Sequence, residues 1–338
     1  MTPARQLLVW SDVTAMAVAI GASYSALTNG DLNVGATIGG LVGAMILGFE
    51  IFILQRSIGA PLRRLPFLVL IVLSSAVWLA LIYVGLQLGP ALHGLNAYGD
   101  EYQATTFPQD MAFAYGVAFL MNAALRVRSL VGARVFFNFL LGRYYRPLRE
   151  ERIFMFLDLN DSTKLAEKLG DIGVQALLRQ FFFDVSEPVV RFGGETHRYI
   201  GDEVVVTWPL HHDQRDQRCI DCVMAIRALI ERRSSFYMQR FGVVPEFRVG
   251  MHGGSVVASE IGEDKREIVY FGDTINTAAR LGAACKTTGS SFLISAALAT
   301  EIGLPQTVTA TAVDPLWLSG KEAPFEVLAL KLAVNEAA

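Results

Sequence analysis

The sequence predicts a chain of two unlike parts. The first is an N-terminal α-helical transmembrane bundle of four spans. The second is a C-terminal α+β domain with the ferredoxin-like order βαββαβ and additions. Three observations carry this reading. Charged residues are sparse from residue 7 to residue 125 and ordinary beyond, although the whole 338-residue chain is 52% hydrophobic and only 18% charged, with mean hydropathy +0.39. Four apolar stretches, 7–27, 34–54, 66–90 and 107–125, each approach the roughly 20 residues that a helix needs to cross a bilayer core. After Arg126 the pattern changes to short apolar runs alternating with amphipathic helical stretches.

Loop charge sets the number of spans and their orientation. The loop "QRSIGAPLRR" carries Arg56, Arg63 and Arg64, and the segment after Leu125 carries Arg126, Arg128, Arg134, Arg143, Arg146 and Arg149. The other two loops, "NGDLNVG" and "HGLNAYGDEYQATTFPQD", hold acids and no Lys or Arg. By the positive-inside rule both termini are cytosolic, which requires an even number of spans. Asp12 and Glu50 then fall toward the cytosolic ends of spans, where an ionisable group costs less than the 2.5–3.5 kcal/mol or so of a helix centre. A removable signal peptide is disfavoured, because Arg5 alone makes its flank basic and further apolar segments follow. His93 is the single histidine of this half, so one chain cannot supply a bis-histidine haem. Residues 126–150 mix basic and apolar positions and read as an amphipathic connector helix along the membrane surface, ended near Pro147. The expected domains are thus 1–125, 126–150 and 151–338.

The soluble part opens with "RIFMFLDL" as a buried strand, followed by a helix capped at Ser162 or Thr163. "GGETHRYIG" and "DEVVVTW" form a hairpin whose Gly201–Asp202 turn is ordinary hairpin chemistry. A second amphipathic helix contains "CIDC". Its cysteines lie at i and i+3 on the apolar face, and no second CxxC completes a zinc site, so they read as core. "EFRVGMHGGSVVASEIG" reads as strand–turn–strand, and "GDTINTAARLGAACKTTG" as a third helix. Three cysteines give no disulfide framework and suit a reducing compartment. A net charge of −3 argues for neither nucleic acid nor a strongly acidic partner, and no nucleic acid is expected.

The chemistry-bearing residues are two carboxylates. Asp158 ends the first strand and Asp202 sits in the hairpin turn, and in a ferredoxin-like sheet these elements are neighbours. Two acids brought together at a solvent-open edge are costly unless they hold cations. Mg²⁺ suits them, since it is typically held by one or two carboxylates plus substrate phosphates.

Four stretches, "FMFLDLNDST", "HRYIGDEVVVTW", "FRVGMHGGSVVASEIG" and "YFGDTINTAARL", together resemble the catalytic domain of class III nucleotidyl cyclases over about residues 151–332. The resemblance implies a membrane-bound, bacterial-type adenylate cyclase of the cell (inner) membrane that converts ATP to 3′,5′-cyclic AMP and pyrophosphate. It implies two divalent cations per site, Mg²⁺ or Mn²⁺, on Asp158, Asp202 and the backbone carbonyl of Leu159. Asn276 would position the ribose and Arg280 would meet charge on the transferring phosphate. The spacing of four puts both on one helix face. Because the family builds each site from two catalytic domains, a chain carrying both residue sets implies a homodimer.

The base-reading positions depart from the family. Arg198 stands where adenylyl members usually have lysine, and Val269 where they have aspartate. Guanylyl members have glutamate and cysteine there, so neither pair is present. Lys321, just after Gly320, is the implied triphosphate contact. A guanylate cyclase and a catalytically inactive cyclase-like membrane receptor are the alternatives. A diguanylate cyclase fits less well, because Ile200 replaces the first glycine of its GGDEF signature.

Overall fold

The computed structural model describes residues 3–28, 30–50, 67–94, 106–131, 138, 141–211, 216–264, 266–317 and 323–332. The chain divides into two compact units, Met1–Phe136 and Phe137–Ala338.

Each of the four apolar stretches is helical in the first unit: α1 (Pro3–Leu27), α2 (Leu32–Gly48), α3 (Phe67–Leu92) and α4 (Phe107–Val131). Among the described residues one segment, Ile71–Leu92, is long and apolar enough to cross a membrane. Asp31 starts α2 as its N-cap, accepting from the amides of Asn33 and Val34. Small residues let α1 and α2 meet backbone to backbone. A Cβ on Gly39 would lie 2.2 Å from the Ala17 carbonyl oxygen, the close approach that glycine permits between apolar helices. Polar ties cross the bundle as well. Trp10 Nε1 donates to Ala44 O (3.1 Å), Tyr24 Oη to Asp110 (2.8 Å) and Asn122 Nδ2 to Ser74 Oγ (3.3 Å). His93 Nε2 lies 2.9 Å from Thr37 Oγ1. Ile46, Trp78, Ile82, Leu86 and Ala118 form the apolar centre. A cavity of about 540 Å³ opens among the four helices.

The sequence reading of 126–150 as one connector helix needs correction. Residues to Val131 extend α4, residues 132–137 and 139–140 lie outside the described residues, 141–144 are turns, 145–146 a bend, and strand pairing begins at Leu148. Gly142 at φ +62° and Pro147 stop a helix here, while Leu148 already pairs with Ala258.

The second unit is one mixed sheet with helices on both faces. In chain order its elements are β1 (Leu148–Leu159), α5 (Ser162–Arg191), β2 (Glu195–Ile200), β3 (Glu203–Pro209), α6 (Arg218–Arg232), α7 (Ser234–Phe241), β4 (Phe247–Ile261), β5 (Glu267–Phe271), α8 (Asp273–Thr288), β6 (Phe292–Ser295), α9 (Ala296–Ile302), β7 (Val308–Leu316) and β8 (Phe325–Leu332). The strands run in the order β2-β3-β1-β4-β6-β8-β7, and β5 pairs with the far half of β4. The βαββαβ core is therefore present, with β5 and the β7–β8 hairpin as additions.

Strand periodicity divides the side chains between two faces. Ile153, Met155, Leu157 and Leu159 of β1 join Val204, Val206 and Trp208 of β3 and the apolar faces of α5, α6 and α7 in the main core. Cys219 and Cys222 are buried there, as the helix-face reading expected. The alternate residues, Phe154, Phe156 and Asp158, face the side on which α8 packs. A Cβ on Gly250 would lie 2.0 Å from the Gly282 amide nitrogen, so two glycines set the distance between β4 and α8. β4 itself is a second correction. It is one continuous 15-residue strand without a central turn, because β1 pairs with it from Leu148↔Ala258 to Leu159↔Phe247. The "GG" inside it does not end the strand.

Candidate active site

The two aspartates meet at the end of β1. Ile200↔Glu203 is the last pair of the β2–β3 hairpin, which leaves Gly201 and Asp202 as a two-residue turn. Gly201 takes φ +62°, where a side chain would be strained. The Leu159 amide donates to the Asp202 carbonyl at 3.2 Å, which fastens this turn to the strand end. Asp158 itself lies in register between Glu203 on β3 and Arg248 on β4. Directly opposite residues share a face, so two carboxylates and a guanidinium stand in one row, with Asp202 at its end.

Leu159, Asp161, Ser162, Thr163, Lys164, Asp202, Arg248 and Lys286 line a cleft of about 400 Å³. The Leu159 side chain is buried in the core, so its main chain is what the cleft meets. Asp161 turns the chain into α5 through the left-handed region, φ 53° and ψ 31°, a conformation that Asp tolerates better than most residues.

The electrostatics follow from crowding. Burial, then the field of Asp202, raises the Asp158 carboxyl above its ordinary range, and Arg248 and Lys286 offset part of this. Burial together with Asp158 and Asp202 pushes Glu203 up to about 7. Arg248 Nε lies 3.2 Å from Asp158 Oδ2 but is not aligned for a hydrogen bond, so the contact is a charge pair. Such a cluster of carboxylates is relieved by a divalent cation. Among the described residues no group of three or more His, Cys, Asp or Glu side chains is placed to hold a metal ion. The donors on offer are two carboxylates and a main-chain carbonyl, a set that suits an ion keeping water and substrate phosphate in its shell.

Asp158 stands beside this cleft, next to Arg248, without lining it, and the other expected site residues do not line it either. Asn276 is exposed in the first turn of α8. Arg280, one turn on, has its Nη1 3.9 Å from Asp273 Oδ1. That nitrogen is buried without a hydrogen-bond partner among the described residues. Arg198, on β2, pairs with Glu267 on β5. Val269 lies two residues beyond Glu267 on the same face of β5, opposite Ser259. Lys321 falls outside the described residues.

Sequence reasoning missed Arg248, Lys286 and Glu267. Arg248 had a signal: it is the charged residue of an otherwise apolar strand, "FRVGM". Lys286 and Glu267 look like ordinary surface charges until the fold places them.

A family model described as the adenylate and guanylate cyclase catalytic domain matches residues 147–323. The chain belongs to that family. Among curated relatives of this cyclase chain, "Adenylate cyclase 2" of Rhizobium meliloti (strain 1021) is 37% identical over 303 residues, covering 86% of this chain and 84% of the relative. "Adenylate cyclase 1" of the same strain is 32% identical, covering 45% of this chain and 24% of its own length. Among solved structures, a bacterial light-regulated adenylyl cyclase superposes with TM-score 0.56 at 20% identity, covering 66% of this chain and 65% of its own. That likeness supports the fold.

Proposed function

We propose that this chain is a membrane-bound adenylate cyclase that converts ATP to 3′,5′-cyclic AMP and pyrophosphate, with two sites per homodimer. The observation that carries the reading is the pairing of Asp158 and Asp202 across β1 and the β2–β3 turn, beside a cation-lined cleft. The long relative named an adenylate cyclase supports the choice of ATP. In the reaction the 3′-hydroxyl oxygen bonds to the α-phosphorus. The bond from that phosphorus to the bridging oxygen breaks, pyrophosphate leaves, and the hydroxyl proton is released. Asp158, Asp202 and the Leu159 carbonyl would hold two divalent cations, Mg²⁺ or Mn²⁺, which supply Lewis-acid polarisation of the α-phosphate and activate the hydroxyl. Arg248, paired to Asp158, offsets part of the burial that raises that carboxyl and helps hold it in place.

Asn276 and Arg280 complete the site of the opposite chain. Asn276 orients the ribose, and the partly exposed Arg280 guanidinium answers the charge that builds on the transferring phosphate. Such a preorganised donor is worth about 10²–10³ in rate. Tyr199, Ile200 and Phe271 are each about half exposed on the hairpin and on β5, and an exposed apolar patch beside an incomplete site suits a second copy. Arg198 reads the purine edge by donating to N1 of adenine.

The first unit supports membrane insertion through its outward side chains. Val72, Leu73, Tyr83, Leu88, Phe119 and Leu120 are all exposed, which suits lipid and not water. Four spans with both termini cytosolic remain the topology that loop charge favours. Product analysis of the full-length chain with ATP and with GTP, in Mg²⁺ and in Mn²⁺, tests the reaction. Cyclic AMP is expected and must vanish in Asp202→Ala. Cyclic GMP as the main product would favour the guanylate alternative, and no product in any condition an inactive receptor.

A further inference from the structure

We propose that Lys286 binds the terminal phosphates of the nucleotide held by Asp158 and Asp202 of its own chain. The assignment rests on the cyclase reading and names a phosphate contact within it. Lys286 lies in the last turn of α8, and the packing of α8 against β4 through Gly250 and Gly282 brings that end of the helix to the cleft. There Lys286 lines the same space as Asp202, Leu159 and Arg248. Its side chain is exposed, with no ion pair among the described residues. The two other cations of the cleft are engaged. Arg248 is paired with Asp158, and Lys164 lies 3.0 Å from Asp161 Oδ1. Lys286 is thus the cleft cation without a close ion pair among the described residues, and a triphosphate is the anion that two metal-holding carboxylates bring there. A lysine suits phosphate as a mobile point charge with three donors.

One consequence concerns α8 as a whole. Lys286 stands six residues beyond Arg280 and ten beyond Asn276, about 9 and 15 Å along a helix. The C-terminal end of α8 therefore serves the site of its own chain, and the N-terminal end serves the partner's. Each such helix spans two sites.

Kinetics of full-length Lys286→Ala test the phosphate contact. The expected result is a KM for ATP raised about tenfold or more, as for loss of a charge-assisted hydrogen bond. Inhibition by pyrophosphate should weaken by a similar factor. kcat should change far less, and Lys286→Arg should restore most of the affinity. Unchanged KM and unchanged pyrophosphate inhibition would overturn the proposal, whatever happens to thermal stability. A mixed dimer tests which site the lysine serves. Chains carrying Asp158→Ala together with Lys286→Ala are co-expressed with Arg280→Ala chains. If Lys286 serves its own chain's aspartates, the surviving site keeps the KM of the simple Asp158→Ala with Arg280→Ala mixture. A raised KM would overturn the same-chain assignment. If even the simple mixture is inactive, the shared-site reading fails, and the Lys286→Ala kinetics still decide the phosphate contact.

Discussion

The Asp158 cleft and the Arg280 face of α8 lie on one domain, yet their charges are in opposite states. In the cleft, carboxylates crowd together and cations answer them: Arg248 pairs with Asp158 while Lys286 and Lys164 line the wall. On α8, a lone guanidinium faces a single acid, Asp273, at 3.9 Å, and its Nη1, like Arg248 Nε in the cleft, is buried without a hydrogen-bond partner among the described residues. A buried unmade donor costs about 1–3 kcal/mol, and such a cost persists where a ligand or partner removes it. Under the proposed function the two are half-sites of unlike chemistry, one for metal and phosphate and the other for developing charge.

The largest expected effect removes either half outright. Asp202→Ala should reduce cyclic AMP formation below detection, while Arg280→Ala should lose about 10²–10³ in kcat with KM little changed. Equal losses of KM and kcat at both positions would erase the distinction between them.

The next prediction attacks the contact that holds both halves in place. Gly250→Val puts a branched side chain where a single Cβ would already meet the Gly282 backbone at 2.0 Å. The expected cost is about 3 kcal/mol or more, read as a lower thermal midpoint together with loss of activity. A midpoint unchanged in that variant would mean that β4 and α8 can separate without harm.

A third prediction concerns acid. Burial, then the charges of Arg198 and Arg152, lower His197 from 6.5 to about 4. The unfolded chain therefore binds more protons between those values, and stability falls as pH drops from 6.5 toward 4, with no effect above 6.5. The linkage amounts to about 3 kcal/mol at most. His197→Gln should flatten the decline of the thermal midpoint over that window.

The smallest effect tests the base-reading edge. Arg198 is steadied by its exposed pair with Glu267. Glu267→Gln should shift the ratio of ATP to GTP turnover by only about two- to fivefold, the scale of an exposed ion pair.

Much of this was legible in the sequence, and the residues show why. Asp158 and Asp202 could be read because a strand end and a hairpin turn are local signals. The apolar run of β1 likewise marked it as a buried strand. Local signals failed where long-range pairing decides. The "GG" of β4 reads as a turn until the 12-residue β1 carries the strand through it. Lys286 reads as a helix-terminal surface charge until Gly250 and Gly282 bring α8 against the sheet. Glu267 acquires meaning from Arg198, 69 residues away in the chain. The helices of the first unit were visible from hydropathy alone, whereas the close α1–α2 contact depended on which glycines face each other.

The central claim is that one chain holds two half-sites completed by a second copy. Co-expression of full-length Asp158→Ala and Arg280→Ala chains, followed by measurement of cyclic AMP, tests it most directly. Random pairing makes half the dimers mixed, each with one intact site, so about a quarter of wild-type activity is expected. Mixtures no more active than either variant alone would contradict the account.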